Sequence, residues 1–288
     1  MIEISIKDVI DCTRGEIPTQ GEVDVFLLER RKLQGVSTDS RSVKNKELYV
    51  ALKGEKFDGH SFVKQAAESG AAGILAMREQ KESVRTLMGE LWGRFPVIFV
   101  EDTLAALGDL AAWYRRRFDV KLVAVTGSSG KTTTKDMISA VLGSGFSTHK
   151  TEGNYNNLIG LPLTVFGINN SHEAVVLEMG MDRPGEISRL TRIGAPDVAV
   201  ITNIGTAHIE NLGSRENIFK AKTEIFEGLK MGSTAVLNGD DEYLGKYDSE
   251  NFKVLKFGFL PHNDFRAVDI RHYSCLLYTS PSPRDRTR

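Results

Sequence analysis

The sequence predicts an α/β protein: a small N-terminal α/β domain followed by a central domain built on a mostly parallel sheet. Three observations carry this. Short apolar runs alternate with helical patterns along the chain, as in strands covered on both faces. One such run, residues 122–125, leads straight into Thr126-Gly-Ser-Ser-Gly-Lys-Thr132, a glycine-bracketed turn that opens a helix. At 288 residues, 41% hydrophobic and 26% charged, the chain suffices for about two ordinary globular domains.

In chain order, residues 1–8 alternate like a strand. Residues 48–52 read as a strand, and Gly54 with Asp58-Gly59 punctuates a loop. Ser61 is expected to cap a short helix that runs through Ala67 and ends near Gly70. Residues 74–76 and 97–100 are further strands, which closes an N-terminal domain over residues 1–100. A helix rich in Ala and Leu over 104–117 opens the central domain, assigned to residues 101–274. Its strands are expected at 122–125, 174–177, 198–201, 235–237 and 254–257. In such sheets ligands bind beyond the carboxyl ends of the strands, so the residues that follow each strand carry the functional argument.

After the strand at 122–125, Gly127 and Gly130 bracket Ser128-Ser129, and Lys131-Thr132-Thr133 starts a helix. Such a loop aims backbone N–H groups at phosphate; the Lys reaches the terminal phosphates and the Thr hydroxyl can ligate Mg²⁺. The position five before Gly130 is Val125 rather than Gly, so this is a shorter T-G-x-x-G-K-T form. The alternative is a Gly-rich turn ahead of a helical Lys. A strand before and a helix after favour a P-loop ATPase-type central domain.

Glu178 follows the strand at 174–177, where a carboxylate can hold Mg²⁺ or simply face solvent. His208 follows the strand at 198–201, where it can ligate a metal or contact a phosphate, although a lone loop His reads first as solvated. Lys222 falls on the apolar stripe Ile218, Ile225, Phe226 and Leu229 of a helix capped by Ser214 and running to about Lys230. An ammonium there must be paired, snorkel or be chemically modified. The amide-rich stretch Gly153-Asn-Tyr-Asn-Asn-Leu-Ile-Gly-Leu-Pro162, which includes Asn157, suits either ligand bridging or Asx turns. In the first domain, Ser37, Thr38, Asp39, Ser40 and Arg41 set a cation among short hydrogen-bonding side chains. That suits a diphosphate or a sugar-nucleotide, although by composition alone a polar turn is the favoured reading.

A net charge of −1 gives no sign of a nucleic-acid partner. No signal peptide and no run of ~20 apolar residues is evident, so a cytoplasmic protein without membrane insertion is expected. Two Cys, 12 and 275, make no disulfide framework. From Cys275 to Asp285 the sequence can be back-translated into a string that resembles a transposase-based sequencing adapter. Residues 275–288 are therefore expected to be a non-native tail and are set apart from fold reasoning.

Over nearly all of residues 1–274 the chain resembles the Mur ligase family of ATP-dependent amide ligases. The resemblance rests on T-G-S-S-G-K-T at Thr126 to Thr132, N-x-N-N-x-x-G-L-P at Asn154 to Pro162, and E-M-G-x-x-x-x-G-E-I at Glu178 to Ile187. The first-domain pattern S-T-D-S-R…L-Y-V-A-L-K-G…D-G-H-S-F agrees with the family's uridine-nucleotide-binding domain. The motifs look most like the branch that joins D-alanyl-D-alanine to UDP-N-acetylmuramoyl-tripeptide in peptidoglycan synthesis. The resemblance implies that Lys131 and the amides of Gly127 to Thr133 hold ATP phosphates. It implies that Thr132 and Glu178 hold one Mg²⁺, that His208 helps hold a second, and that Lys222 becomes a carbamate. Lys131, His208 and Lys222 are the implied catalytic set. Asn157 is placed near the muramoyl-peptide and Ser37 to Arg41 along the uridine-diphosphate end. The implied reaction passes through an acyl phosphate, with small-molecule partners and a monomeric chain. Against the family pattern, the central domain is expected to be incomplete at its C-terminus and the third domain missing, which leaves the fragment inactive alone. Two other readings stay open: another amino-acid-adding ligase of the family, and a nucleotide- or UDP-sugar-binding module that ligates nothing.

Overall fold

The computed structural model describes residues 4–18 and 28–269, so residues 270–274 and the expected tail at 275–288 lie outside the described residues. Thirteen strands are present among them: β1 Ile4–Ser5, β2 Lys32–Leu33, β3 Gly35–Ser37, β4 Glu47–Val50, β5 Gly73–Met77, β6 Val97–Val100, β7 Lys121–Thr126, β8 Thr148–Lys150, β9 Ala174–Glu178, β10 Val198–Ile201, β11 Thr234–Asn238, β12 Lys253–Gly258 and β13 Phe265–Arg266. The α-helices are α1 Ile6–Thr13, α2 Val63–Glu68, α3 Lys81–Met88, α4 Thr103–Arg115, α5 Lys131–Leu142, α6 Gly160–Val165, α7 Glu186–Gly194, α8 Ile209–Leu212 and α9 Arg215–Thr223. None of the described helices is long and apolar enough to cross a membrane.

The first sheet runs β3-β4-β5-β6, all parallel. Its strands are apolar on both faces, and the two faces feed different cores. Leu48, Val50, Leu75 and Ile98 join the main cluster, while Tyr49, Ile74, Ala76 and Phe99 form a second one with α2 and α3. The larger sheet has the order β13-β12-β11-β10-β7-β9-β8, again parallel throughout. The main core reaches both sheets through α4, whose Leu107, Leu110, Ala111 and Tyr114 are buried between them. On the far face of the larger sheet, Val125, Val176 and Val200 pack with Ile138 and Leu142 of α5.

Two expectations about the ends of elements need correction, and one helix changes type. The alternation over residues 1–8 yields a strand of only two residues, because Ser5 and Asp8 form a capping box that starts α1. The helix near residue 61 is capped by Asp58, not Ser61: Asp58 Oδ1 accepts from His60 N at 2.9 Å and starts a 3₁₀ turn, Gly59–Phe62, ahead of α2. The helix capped by Ser214 is α-helical only to Thr223 and then tightens into a 3₁₀ turn, Glu224–Gly228. There Glu224 accepts from the N–H groups of Gly185 and Ser188, and Thr191 Oγ1 donates to Ile225 O, which draws the turn onto α7.

Arg115 is the polar keystone of this arrangement. It is buried at the end of α4 and donates to three carbonyls, Gly194 O, Phe118 O and Val120 O, at 3.1, 2.9 and 3.1 Å. Burial lowers its pKa below the usual guanidinium value. Arg115→Ala leaves three acceptors unsatisfied and should cost about 3 kcal/mol, measurable as a lower midpoint in urea unfolding with an unchanged slope.

Candidate active site

The strand order makes β7 the switch point of the larger sheet. The chain runs from β7 to β8 and β9 on one side, then crosses to β10 and β11 on the other. A crevice opens at such a point beyond the strand ends, and the glycine loop lies in it. Register places Val125 opposite Glu178 and Thr126 opposite Ile201, so the ends of β9 and β10 flank the loop.

The loop is built from both sides. Gly127 has φ +151° with its Cα against Thr202, where any Cβ would overlap the Thr202 hydroxyl. Gly130, at φ +75°, turns the chain into α5. Thr202 Oγ1 donates to Ser129 O at 2.6 Å. Asn203 accepts Ser128 N on its carbonyl at 3.1 Å and Ser129 N on Oδ1 at 3.0 Å. Its Nδ2 donates to Ser129 Oγ at 2.9 Å, and Gly205 N donates to Ser128 Oγ at 2.8 Å. The Ser128 and Ser129 amides are thus engaged by the β10 loop. No side chain caps α5, so the N–H groups of its first turn, around Lys131, Thr132 and Thr133, have no partner within the helix. Lys131 Nζ folds back onto Gly127 O at 3.0 Å.

Glu178 ends β9 and is 1% exposed, which excludes the solvent-facing reading. Its Oε1 accepts from Asn156 Nδ2 at 2.8 Å, and its Oε2 is buried with no hydrogen-bond partner among the described residues. A buried carboxylate oxygen without a donor is costly, and a hard cation is the kind of ligand that satisfies it. Among the described residues no three His, Cys, Asp or Glu side chains form a metal-binding group, so a cation here would rest on the single Glu178 oxygen and on ligands of other kinds.

Lys222 is 2% exposed on α9, and its ammonium has no ion pair or hydrogen bond among the described residues. Burial, together with the nearby Lys131 charge, pulls its pKa down from the ordinary 10.5 to about 8. Ile218 and Ile225 beside it are fully buried, as the apolar stripe requires. The stem is enclosed by apolar neighbours, and no ion pair or hydrogen bond holds the amine among the described residues.

Lys131, Asn157 and His208 line one cleft of about 310 Å³, together with Asn156, Gly180 and Asp182. His208 holds a left-handed backbone at φ 64° and its Nδ1 lies 3.1 Å from Asp182 Oδ1. Asn157 uses its Oδ1 to accept the N–H groups of Ile159 and Gly160, which starts α6. Ser37, Thr38, Asp39, Ser40 and Arg41 are not among the residues lining this cleft. They follow β3, where Arg41 forms a bidentate pair with Asp39 at 2.9 and 2.7 Å and Ser40 is buried. The Arg41 pair holds the Asp39 carboxyl down at about 2.

Sequence reasoning passed over Asn156, Thr202 and Asn203. The signal for the last two was available: Thr202-Asn203 follows β10 directly, at a strand end beside the loop.

A family model described as "Mur ligase middle domain" matches residues 125–278, and one described as "Mur ligase family, catalytic domain" matches residues 32–115. UDP-N-acetylmuramoyl-tripeptide–D-alanyl-D-alanine ligase of Bacillus subtilis is 43% identical over 270 residues, covering 94% of this chain and 56% of the relative. The Escherichia coli protein of that name is 37% identical over 273 residues, with the same coverage. Among solved structures, MurF from Acinetobacter baumannii superposes with a TM-score of 0.79 at 30% identity, over 94% of this chain and 56% of that one. MurF from Thermotoga maritima in complex with ADP gives 0.70 at 38% identity, over 78% and 50%. The chain spans about half the length of the curated relatives it matches.

Proposed function

This chain belongs to the Mur ligase family, and we propose that it carries the nucleotide-binding part of an ATP-dependent amide ligase that joins D-alanyl-D-alanine to UDP-N-acetylmuramoyl-tripeptide. The observation that carries the reading is Lys222: a buried, unpaired amine held at a pKa of about 8 beside Lys131 of the phosphate loop. A neutral amine adds CO₂, forming a C–N bond and releasing a proton, and the product carbamate is an anion. That exchanges a costly buried cation for a group that can approach a metal.

In this reading the substrate carboxylate attacks the γ-phosphorus of ATP, a P–O bond forms and the bond to ADP breaks. The amine of D-alanyl-D-alanine then attacks the acyl carbon, a C–N bond forms, the C–O bond to phosphate breaks, and the nitrogen gives up a proton as the amide forms. Lys131 leaves Gly127 O for the phosphate oxygens, and the first-turn amides of α5 meet the same charge. Thr202 and Asn203 keep the loop open for them. Thr132 and Glu178 would hold a Mg²⁺, with His208 and the Lys222 carbamate beside a second; such ions supply charge stabilisation to phosphoryl transfer. Asp182 fixes the ring of His208. Asn157 would lie near the muramoyl-peptide, and Ser37 to Arg41 near the uridine diphosphate.

The test is ATP-dependent phosphate release by the full-length protein with UDP-N-acetylmuramoyl-tripeptide. Release that requires D-alanyl-D-alanine, and is not supported by single amino acids, is expected. Release driven by one amino acid would transfer the chain to another branch of the family, and nucleotide binding without release would leave only a binding module.

A further inference from the structure

We propose that Asn156 is a positioning residue that orients the Glu178 carboxylate so that one oxygen alone faces a bound cation; this rests on the metal role given to Glu178 above. Glu178 is held at three points, two through the backbone and one at the carboxylate itself. Its backbone is held by strand pairing with β7, where Met179 N donates to Val125 O at 2.8 Å. Glu178 N donates to Thr151 Oγ1 at 3.0 Å, and Thr151 O in turn accepts from the buried Lys135 Nζ at 2.9 Å. The third tether is Asn156 Nδ2, which occupies Glu178 Oε1 at 2.8 Å and leaves Oε2 buried and free. An ionised carboxylate only accepts hydrogen bonds, so the amide donor both satisfies Oε1 and sets the plane of the group.

The chain makes room for this contact. Asn156 O accepts from Gly180 N at 2.8 Å, and a Cβ at Gly180 would stand 3.0 Å from the Asn156 amide. The neighbouring Asn157 is turned to a different task, its Oδ1 accepting the N–H groups of Ile159 and Gly160 at the start of α6. Outer-shell partners of this kind typically contribute 10–100-fold in metal affinity.

The experiment follows Mn²⁺ binding by electron paramagnetic resonance in the full chain with a non-hydrolysable ATP analogue. Asn156→Ala should weaken Mn²⁺ at least tenfold while metal-free nucleotide affinity stays within twofold. Asn156→Leu, which keeps the slot beside Gly180 filled but removes the donor, should show the same loss, separating it from loop collapse. Glu178→Gln should weaken Mn²⁺ as well, and adding Asn156→Ala to it should cost nothing more. Full Mn²⁺ affinity in both Asn156 variants, with Glu178→Gln impaired, overturns the proposal, as do losses that simply add in the double variant. Unchanged affinity in Glu178→Gln removes the metal role itself, and with it this inference.

Discussion

Lys131→Ala should lower the ligation rate of the full-length protein by at least about a hundredfold, the scale found when one preorganised charge-stabilising donor is removed from a reaction that builds charge. The ammonium donates to Gly127 O at 3.0 Å, a neutral acceptor within its own loop. Exchanging that carbonyl for phosphate oxygens converts a hydrogen bond with one ionised partner into one with both partners ionised, which is the stronger contact. The fold should not suffer, because Lys131 opens α5 and sits outside the main core. Nucleotide titration should show weaker ADP binding with an unchanged melting temperature. Lys220, paired to Glu216 on the exposed side of α9, is the control cation, and Lys220→Ala should leave both quantities alone. A second consequence is electrostatic. Lys131 is one of the two causes that depress Lys222, so its removal should move the Lys222 pKa back toward 10.5. Retention of near-parental ligation by Lys131→Ala would refute the phosphate-loop assignment.

The parts of this molecule that were legible in the sequence are those where one period decides. The strands at residues 122–125, 174–177 and 198–201 are continuous apolar runs too short for a buried helix and rich in Val, which marks strands buried on both faces; the structure extends each by two residues at most. Lys222 was legible for the same reason, since helical spacing put it among Ile218, Ile225 and Phe226 whatever surrounded the helix. Glu178 was not decided, because a residue at a strand end is placed by its neighbours in space. Only the pairing with β7 and the Asn156 contact make it a buried carboxylate. Within Asn154-Tyr-Asn-Asn157 the chain has no period at all, so nothing local says that Asn156 turns toward Glu178 while Asn157 turns back to cap α6. Residues 6–8 show local chemistry overriding pattern: three hydrogen bonds between Ser5 and Asp8 outweigh a weak alternation. The Ser37 to Arg41 segment lies beyond the cleft, and its place along the uridine diphosphate belongs to the proposal.

Lys222→Met should abolish ligation and at the same time stabilise the fold at neutral pH. The sign follows from the pKa. In the unfolded chain the amine titrates near 10.5, and in the folded chain near 8. Below about pH 8 both states carry the charge, and the folded state bears the full cost of burying it without a partner. As pH rises from 8 toward 10.5 the folded amine is already neutral while the unfolded one still binds a proton, so the cost declines. Methionine fills a similar volume without charge. The variant should therefore melt several degrees higher than the parent at pH 7 in CO₂-free buffer, with the gain shrinking at pH 9. Bicarbonate supplies the independent arm. If the parent's amine becomes a carbamate, added bicarbonate should raise the parent's ligation rate and leave the variant untouched. A parent indifferent to bicarbonate would remove the carbamate. A variant that melts lower than the parent at pH 7 would mean that the ammonium has a partner when folded, contrary to its isolation among the described residues. Both gains and losses come from one cause: the helix face that makes this amine expensive to bury as a cation is what leaves it free to react.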